Sequence, residues 1–286
     1  MLHNFYTIFD KGFLAKGLVS YDSVKKHFPE KSRYFILCLD DTSYEIMKEM
    51  ALPSVILLTL DDIEDDDLRK AKKTRTISEY SWTLKPSVAT YLLKDYPDIA
   101  TLMYLDSDLC FYSSLAPIYK EFVKHSILLF PHRLPAGSWE KENVVGKYNA
   151  GMIMFRNDER AKKCLEWWRK ECNAWCYRKP ETGKLGDQKY LDYFEEQFDG
   201  VKVLENQGVD VAPWNMKNYR GNIKKIGREI FVNGHKLINF HFSSLTLYYP
   251  PSKILPNVPA NSYGYTRKSL QKKLIYDEYN DAVYAG

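Results

Sequence analysis

Apolar residues fall along the chain in short runs separated by amphipathic stretches, the alternation that a helix-covered sheet produces. Phe5-Tyr6-Thr7-Ile8-Phe9 predicts a first strand, broken by Asp10-Lys11-Gly12, after which Leu14, Leu18, Tyr21 and Val24 recur at helical spacing. Residues 34–39 and 54–60 predict two more strands, with Asp40-Asp41-Thr42 starting a helix between them that runs through Met50. The acidic run 61–67, followed by Arg69, Lys70, Lys72 and Lys73, predicts a solvated helix with ion-paired turns. Val88, Tyr91 and Leu92 continue at helical spacing, and Pro86 fits a first helical position, which puts Lys85 at that helix's start.

The stretch that organises the rest is Leu102-Met103-Tyr104-Leu105-Asp106-Ser107-Asp108. Its apolar half predicts a strand covered on both faces, and its two carboxylates then stand where an open α/β sheet places its ligand crevice. Hard oxygen ligands of this kind suit Mg²⁺ or Mn²⁺, above all beside a diphosphate. On the triplet alone, an acidic turn is the simpler reading.

Further strands are predicted over 127–130, in the stretch beginning Tyr148-Asn149-Ala150-Gly151, over 201–204 and over 237–242, the last containing His241 between apolar neighbours. Asn157-Asp158 can cap a helix carrying Leu165, Trp168, Cys172 and Trp175 on one stripe, and Gly186-Asp187-Gln188 opens another with Tyr190, Leu191 and Phe194. Ala212-Pro213-Trp214-Asn215 reads as a turn, and the polar stretch 217–228 shows no clear periodicity. For a lone histidine such as His241, a core role is the ordinary expectation.

Composition adds limits. A chain of 286 residues with 45% hydrophobic and 27% charged residues folds globally, and one domain over 1–286 is expected, with a first half to about 110, a second to about 250, and a tail over 251–286. A net charge of +4, from 41 basic and 37 acidic residues, is too balanced for a nucleic-acid binder. Five cysteines, an odd number without a matching zinc pattern, suggest buried free thiols in a reducing compartment. No apolar run approaches the roughly 18 residues of a membrane span, and residues 1–4 do not form a secretory leader, so a cytoplasmic location is expected. Arg267, Lys268, Lys272 and Lys273 lie among aromatic and aliphatic residues, leaving two uses open for the tail: peripheral contact with a membrane or packing on the domain.

The chain resembles glycosyltransferases of the GT-A fold, and is most similar to retaining family 8, which includes glycogenin and bacterial lipopolysaccharide galactosyltransferases. The resemblance runs from about Thr7 to His241 and rests on four motifs in order: Tyr104-Leu105-Asp106-Ser107-Asp108, matching the DXD motif; Asn149-Ala150-Gly151; Gly186-Asp187-Gln188; and His241. It implies a Rossmann-like, mixed but mostly parallel sheet, and a manganese- or magnesium-dependent transfer from a nucleotide diphosphate donor, a UDP-sugar, to a glycan, lipid-linked or protein acceptor with retention. Asp106, Asp108 and His241 would hold the metal. Thr7, Phe9, Asp10, Phe13, Lys85, Asp106, Ser107, Asn149 and Ala150 would bind the donor. Asp187 and Gln188 would act at the sugar. The sequence departs from family 8 after the histidine, where a glycine and then Lys-Pro-Trp usually follow and here Phe242-Ser243-Ser244-Leu245-Thr246 stands.

Two rivals are weighed on the same residues. A sugar nucleotidyltransferase would need a glycine-rich, arginine-bearing loop after the first strand, which Asp10-Lys11-Gly12-Phe13 does not supply. A binding protein of the same fold without turnover stays open, because fold does not imply function. An EF-hand is excluded by the missing glycine and terminal glutamate after Asp106 and Asp108.

Overall fold

The computed structural model describes residues 2–28, 31–245 and 270–284. Its strands are β1 (His3–Phe9), β2 (Ser32–Cys38), β3 (Val55–Leu58), β4 (Thr101–Leu105), β5 (Leu109–Phe111), β6 (Ile127–Pro131), β7 (Tyr148–Arg156), β8 (Val201–Val203), β9 (Ile223–Ile226), β10 (Glu229–Val232), β11 (His235–Lys236) and β12 (Asn239–His241). Seven of them form one sheet in the order β3-β2-β1-β4-β7-β6-β8. Strand β7 runs antiparallel to both its neighbours, and the other pairings in this sheet are parallel. The mixed, mostly parallel sheet expected from the sequence is therefore present.

Parallel strands are joined by crossovers, and the crossing helices cover the sheet on both sides. All seven residues of β1 are buried, and its side chains divide between two cores: Tyr6 and Ile8 pack with Leu84, Val88 and Trp168, while Phe5 and Phe9 pack with Tyr21, Val24 and Phe130. Local signals set the helix ends. Asp40 caps Asp41–Met50 by accepting from Ser43 N, and Asp158 caps Glu159–Ala174 by accepting from Ala161 N.

Several expectations need correction. The helix bearing Lys85 runs over Ile77–Asp95, begun by a capping box between Thr76 and Glu79, so Pro86 lies in its interior and Lys85 sits in its middle. Residues 61–67 do not enter one helix; the stretch divides into Leu60–Ile63 and Asp66–Lys72, although the ion-paired turns are present at Arg69–Asp66 and Lys70–Asp67. Residues 217–228, which show no periodicity, contain β9, paired to β10 across a turn at Gly227, whose φ of +61° is the left-handed conformation that glycine adopts freely. The late strand is shorter than 237–242. Strand β12 pairs with β5 in register Asn239↔Phe111 and His241↔Leu109.

The five cysteines are free and buried, as expected. Among the described residues no helix is long and apolar enough to cross a membrane. The helix Leu270–Tyr284 packs Ile275, Tyr276 and Tyr279 against Phe240 and Phe242, with Tyr279 stacked on Phe242 at 3.8 Å. Packing on the domain is thus one use of the tail; Arg267 and Lys268, invoked for a membrane contact, lie outside the described residues, as do the side chains of Lys272 and Lys273.

Candidate active site

Strand β4 ends at Leu105, and Asp106-Ser107-Asp108 turns directly into β5, with Leu109 N donating to Asp106 O at 3.2 Å. The turn frees both carboxylates from strand alternation and points them to one side. Pairing of β12 with β5 then carries His241 up beside them, held by Phe242 N donating to Asp108 O at 2.8 Å. His241 Nε2 lies 3.0 Å from Asp108 Oδ1 and 3.7 Å from Asp106 Oδ2. One ligand atom from each of the three residues lies within 4.8 Å of the others.

Two hard carboxylate oxygens and one imidazole nitrogen suit a divalent cation of the Mg²⁺ or Mn²⁺ kind. Burial alone would lower the imidazole's proton affinity, but Asp108, Asp210 and Asp106 together push the His241 pKa up to about 10. Burial likewise opposes ionisation of Asp108, and His241, Lys16 and a backbone N–H together more than offset this, holding its carboxyl below the usual range. Three anionic or proton-holding groups converging on one point form a place for a cation, whether a proton or a metal ion.

Lys85 connects this cluster to a second one. Its buried ammonium stands 3.3 Å from Asp106 Oδ1 and 3.1 Å from Asp187 Oδ2, and donates to Ala150 O at 3.0 Å. Despite burial, the two carboxylates hold its proton more tightly than in water. Asp187 is raised by burial, an effect that Lys85 only partly offsets. Gly186 just before it adopts φ +55°, and a Cβ there would meet Trp82 at 3.2 Å, so the tight turn presenting Asp187 depends on glycine. Gln188 is fixed at both ends of its amide: Nε2 donates to Val145 O at 2.8 Å, and Oε1 accepts from Asn149 Nδ2 at 3.2 Å and Ala150 N at 3.3 Å.

A cavity of about 560 Å³ opens over these groups, lined by Phe9, Asp10, Phe13, Lys85, Asp106, Ser107, Asp108, Asn149, Ala150, Asp187, Gln188 and His241. All but one of the residues singled out from the sequence therefore meet. Thr7 does not: it lies two residues short of the end of β1, is buried within the sheet layer, and is absent from the cavity wall. The wall also includes Trp82, Arg178, Ser243 and Ser244, which the sequence did not single out. Ser243 and Ser244 stand where family 8 usually continues toward its Lys-Pro-Trp, and their turn is tied down by Lys16 Nζ donating to Leu245 O.

The family model for nucleotide-diphospho-sugar transferases matches residues 30–203. The chain belongs to that family. It is 33% identical to the uncharacterised protein YfnF of Bacillus subtilis (strain 168) over 249 residues, 85% of this chain and 82% of the relative. YfnD of the same organism is 32% identical over 246 residues, 85% of this chain and 78% of that one. Among solved structures, the galactosyltransferase LgtC bound to donor and acceptor sugar analogues superposes with a TM-score of 0.61 at 14% identity, covering 99% of this chain and 95% of that one. Mouse xyloside xylosyltransferase 1 gives 0.55 at 14%, covering 89% and 100%. The fold is GT-A, and the protein is a glycosyltransferase resembling family 8.

Gly151 of the transferase explains how His241 comes so close to β7. A Cβ at Gly151 would stand 2.5 Å from His241 Cε1 and 2.6 Å from Asn149 Oδ1. Asn149 Oδ1 accepts from Gly151 N at 2.8 Å, so neither neighbour yields freely. Gly151→Ala should therefore destabilise the protein by about 1–3 kcal/mol, the usual cost of overpacking, and displace His241. Urea denaturation measures the first effect. An unchanged midpoint would mean that the ring swings aside at no cost.

Proposed function

We propose that this transferase moves a sugar from a UDP-sugar to a glycan, lipid-linked or protein acceptor, with retention of anomeric configuration and with a divalent metal ion. The observation that carries this reading is the convergence on one cavity of Asp106, Asp108 and His241 with Asp187, Asn149 and Gln188, the two groups joined by Lys85 between Asp106 and Asp187. A divalent ion held by the first group would act as a Lewis acid on the departing diphosphate. Phe9, Asp10 and Phe13 would receive the nucleoside, with Asp10 kept in place by Gly12 N donating to its Oδ1 at 2.9 Å.

In the transfer, the bond from the anomeric carbon to the phosphate oxygen breaks with its electron pair on the diphosphate, and the acceptor oxygen bonds to that carbon and passes its proton to the departing diphosphate oxygen. Asp187, Asn149 and Ala150 would hold sugar hydroxyls. The fixed Gln188 carbonyl oxygen would face the positive charge that develops on the sugar ring.

Retention is supported by the state of the carboxylates. An inverting enzyme needs a carboxylate free to deprotonate the acceptor. Among the described cavity residues the carboxylates are Asp10, Asp106, Asp108 and Asp187. Asp187 is ion-paired to Lys85, Asp106 and Asp108 belong to the cation cluster, and Asp10 caps its own turn. The test is a panel of nucleotide sugars incubated with Mn²⁺ and a glycan acceptor mixture, followed by release of nucleoside diphosphate and by NMR of the first-formed linkage. Release from UDP-sugars, its loss in EDTA and a retained linkage are expected. EDTA-insensitive turnover would remove the metal from the reading, and an inverted linkage would make Asp187 a general base.

A further inference from the structure

Behind His241, on the side away from the two metal-facing carboxylates, lies Asp210. It is fully buried, and neither of its carboxylate oxygens has a hydrogen-bond partner. His241 Nδ1 is likewise buried without a hydrogen-bond partner, and Asp210 Oδ1 stands 3.6 Å from it. A buried carboxylate left unpaired is costly, so two orphaned and complementary atoms facing each other at this distance need an explanation.

The surrounding structure holds Asp210 there deliberately. Its φ of +54° is left-handed, a conformation that a non-glycine residue adopts at a cost and that tends to occur where a side chain must be aimed. Its backbone is clamped on both sides: its N–H donates to Asn239 Oδ1 at 3.0 Å, and its carbonyl accepts from Asn215 Nδ2 at 2.9 Å. The guanidinium of Arg133 holds the preceding loop through Leu204 O, Asn206 O and Val209 O at 2.8–3.1 Å. The imidazole is confined between Trp214, edge-on at 5.1 Å between ring centres, and Gly151.

We propose that Asp210 is a positioning residue of the transferase, accepting the Nδ1–H of His241 and so fixing the tautomer whose Nε2 lone pair faces Asp106 and Asp108. This rests on the metal reading above. A carboxylate behind a ligating histidine orients the ring and makes it a better donor, and losing such a partner typically weakens metal binding by about 10–100-fold. Asp210→Asn keeps the shape of the side chain and removes its charge.

The experiment titrates Mn²⁺ into the wild type, Asp210→Asn and Asp106→Asn in the presence of UDP, reading free Mn²⁺ by electron paramagnetic resonance, with circular dichroism as the check on folding. Binding to the wild type and a loss of about 10–100-fold in Asp210→Asn are expected. A second readout uses the wild type alone: long-range ¹H–¹⁵N spectra of the Mg²⁺–UDP complex should show His241 protonated at Nδ1, with that proton shifted downfield by the carboxylate. A folded Asp210→Asn protein binding Mn²⁺ as tightly as the wild type would overturn the role of Asp210 and leave the metal site standing. Should the variant not fold, a His241 Nδ1 without a downfield proton would overturn it instead. No Mn²⁺ binding by the wild type would remove the metal reading and this inference together.

Discussion

Asp108→Asn should lower sugar transfer by about a thousandfold or more at saturating donor and Mn²⁺. Asp108 is the carboxylate nearest His241, at 3.0 Å, and with Asp106 it supplies the negative charge that would hold a cation in the cavity. Lewis-acid stabilisation of a leaving diphosphate is worth several kcal/mol, and each 1.36 kcal/mol is tenfold in rate, so a loss of about 4 kcal/mol gives three decades. Folding should survive, because the asparagine keeps the shape of the turn and can still accept from its neighbours. Initial rates of nucleoside diphosphate release, taken on protein with a wild-type circular dichroism spectrum, make the measurement. Activity within tenfold of wild type would show that Asp108 neither binds nor neutralises anything needed in the reaction.

Lys85→Met should cost stability as well as activity. The ammonium is buried between Asp106 and Asp187, and its removal leaves Asp187 buried beside another carboxylate without a counter-charge. Breaking a buried pair from one side costs about 3–5 kcal/mol. The pH dependence has a definite sign. Without Lys85 the Asp187 carboxyl, already raised by burial, rises further above its unfolded value, so the folded variant binds a proton that the unfolded chain does not. Its stability is then greatest at low pH and falls as pH rises through that folded value, so the deficit relative to wild type should be larger at pH 8 than at pH 5. Chemical denaturation at the two pH values tests this. The double variant Lys85→Met/Asp187→Asn should recover part of the loss, since it removes the stranded charge; a double variant less stable than the sum of the single ones would refute the pairing.

The route to the site was legible where one residue type carries one physical demand. Leu102 to Leu105 could only be a covered strand, and carboxylates directly after it had to lie at the carboxyl end of the sheet, where its crevice opens. Asp158 and Asp40 announced their helices by capping chemistry. Pro86 misled because its preference for a first helical turn competed with the Thr76–Glu79 capping box upstream, and the box determined the start. The burial of Lys85 followed from that: a lysine at a helix start reaches solvent, whereas one in the middle of a helix packed on the sheet has to find carboxylates. Strand β9 escaped notice because, of its four residues, only Ile223 is buried, so its alternation is mostly lysine on solvent. Asp210 had no signal at all. Between Val209 and Val211 an aspartate reads as the solvent-facing member of an alternating strand. Its inward aim comes from a left-handed backbone, from Asn215 five residues on and Asn239 further along, which hold its own N–H and carbonyl, and from Arg133, which holds the preceding Val209 carbonyl from a distant part of the chain.

In the function proposed above, the carboxylate–histidine cluster and the nucleoside diphosphate meet through a shared cation. Binding of UDP to the wild type, measured by calorimetry with and without Mn²⁺, tests it most directly, because coupling between two ligands is reciprocal and appears as a change in affinity. Mn²⁺ should tighten UDP binding at least tenfold, or by about 1.4 kcal/mol, and Asp106→Asn should abolish this gain. UDP affinity that is the same with and without Mn²⁺ in the wild type would contradict it.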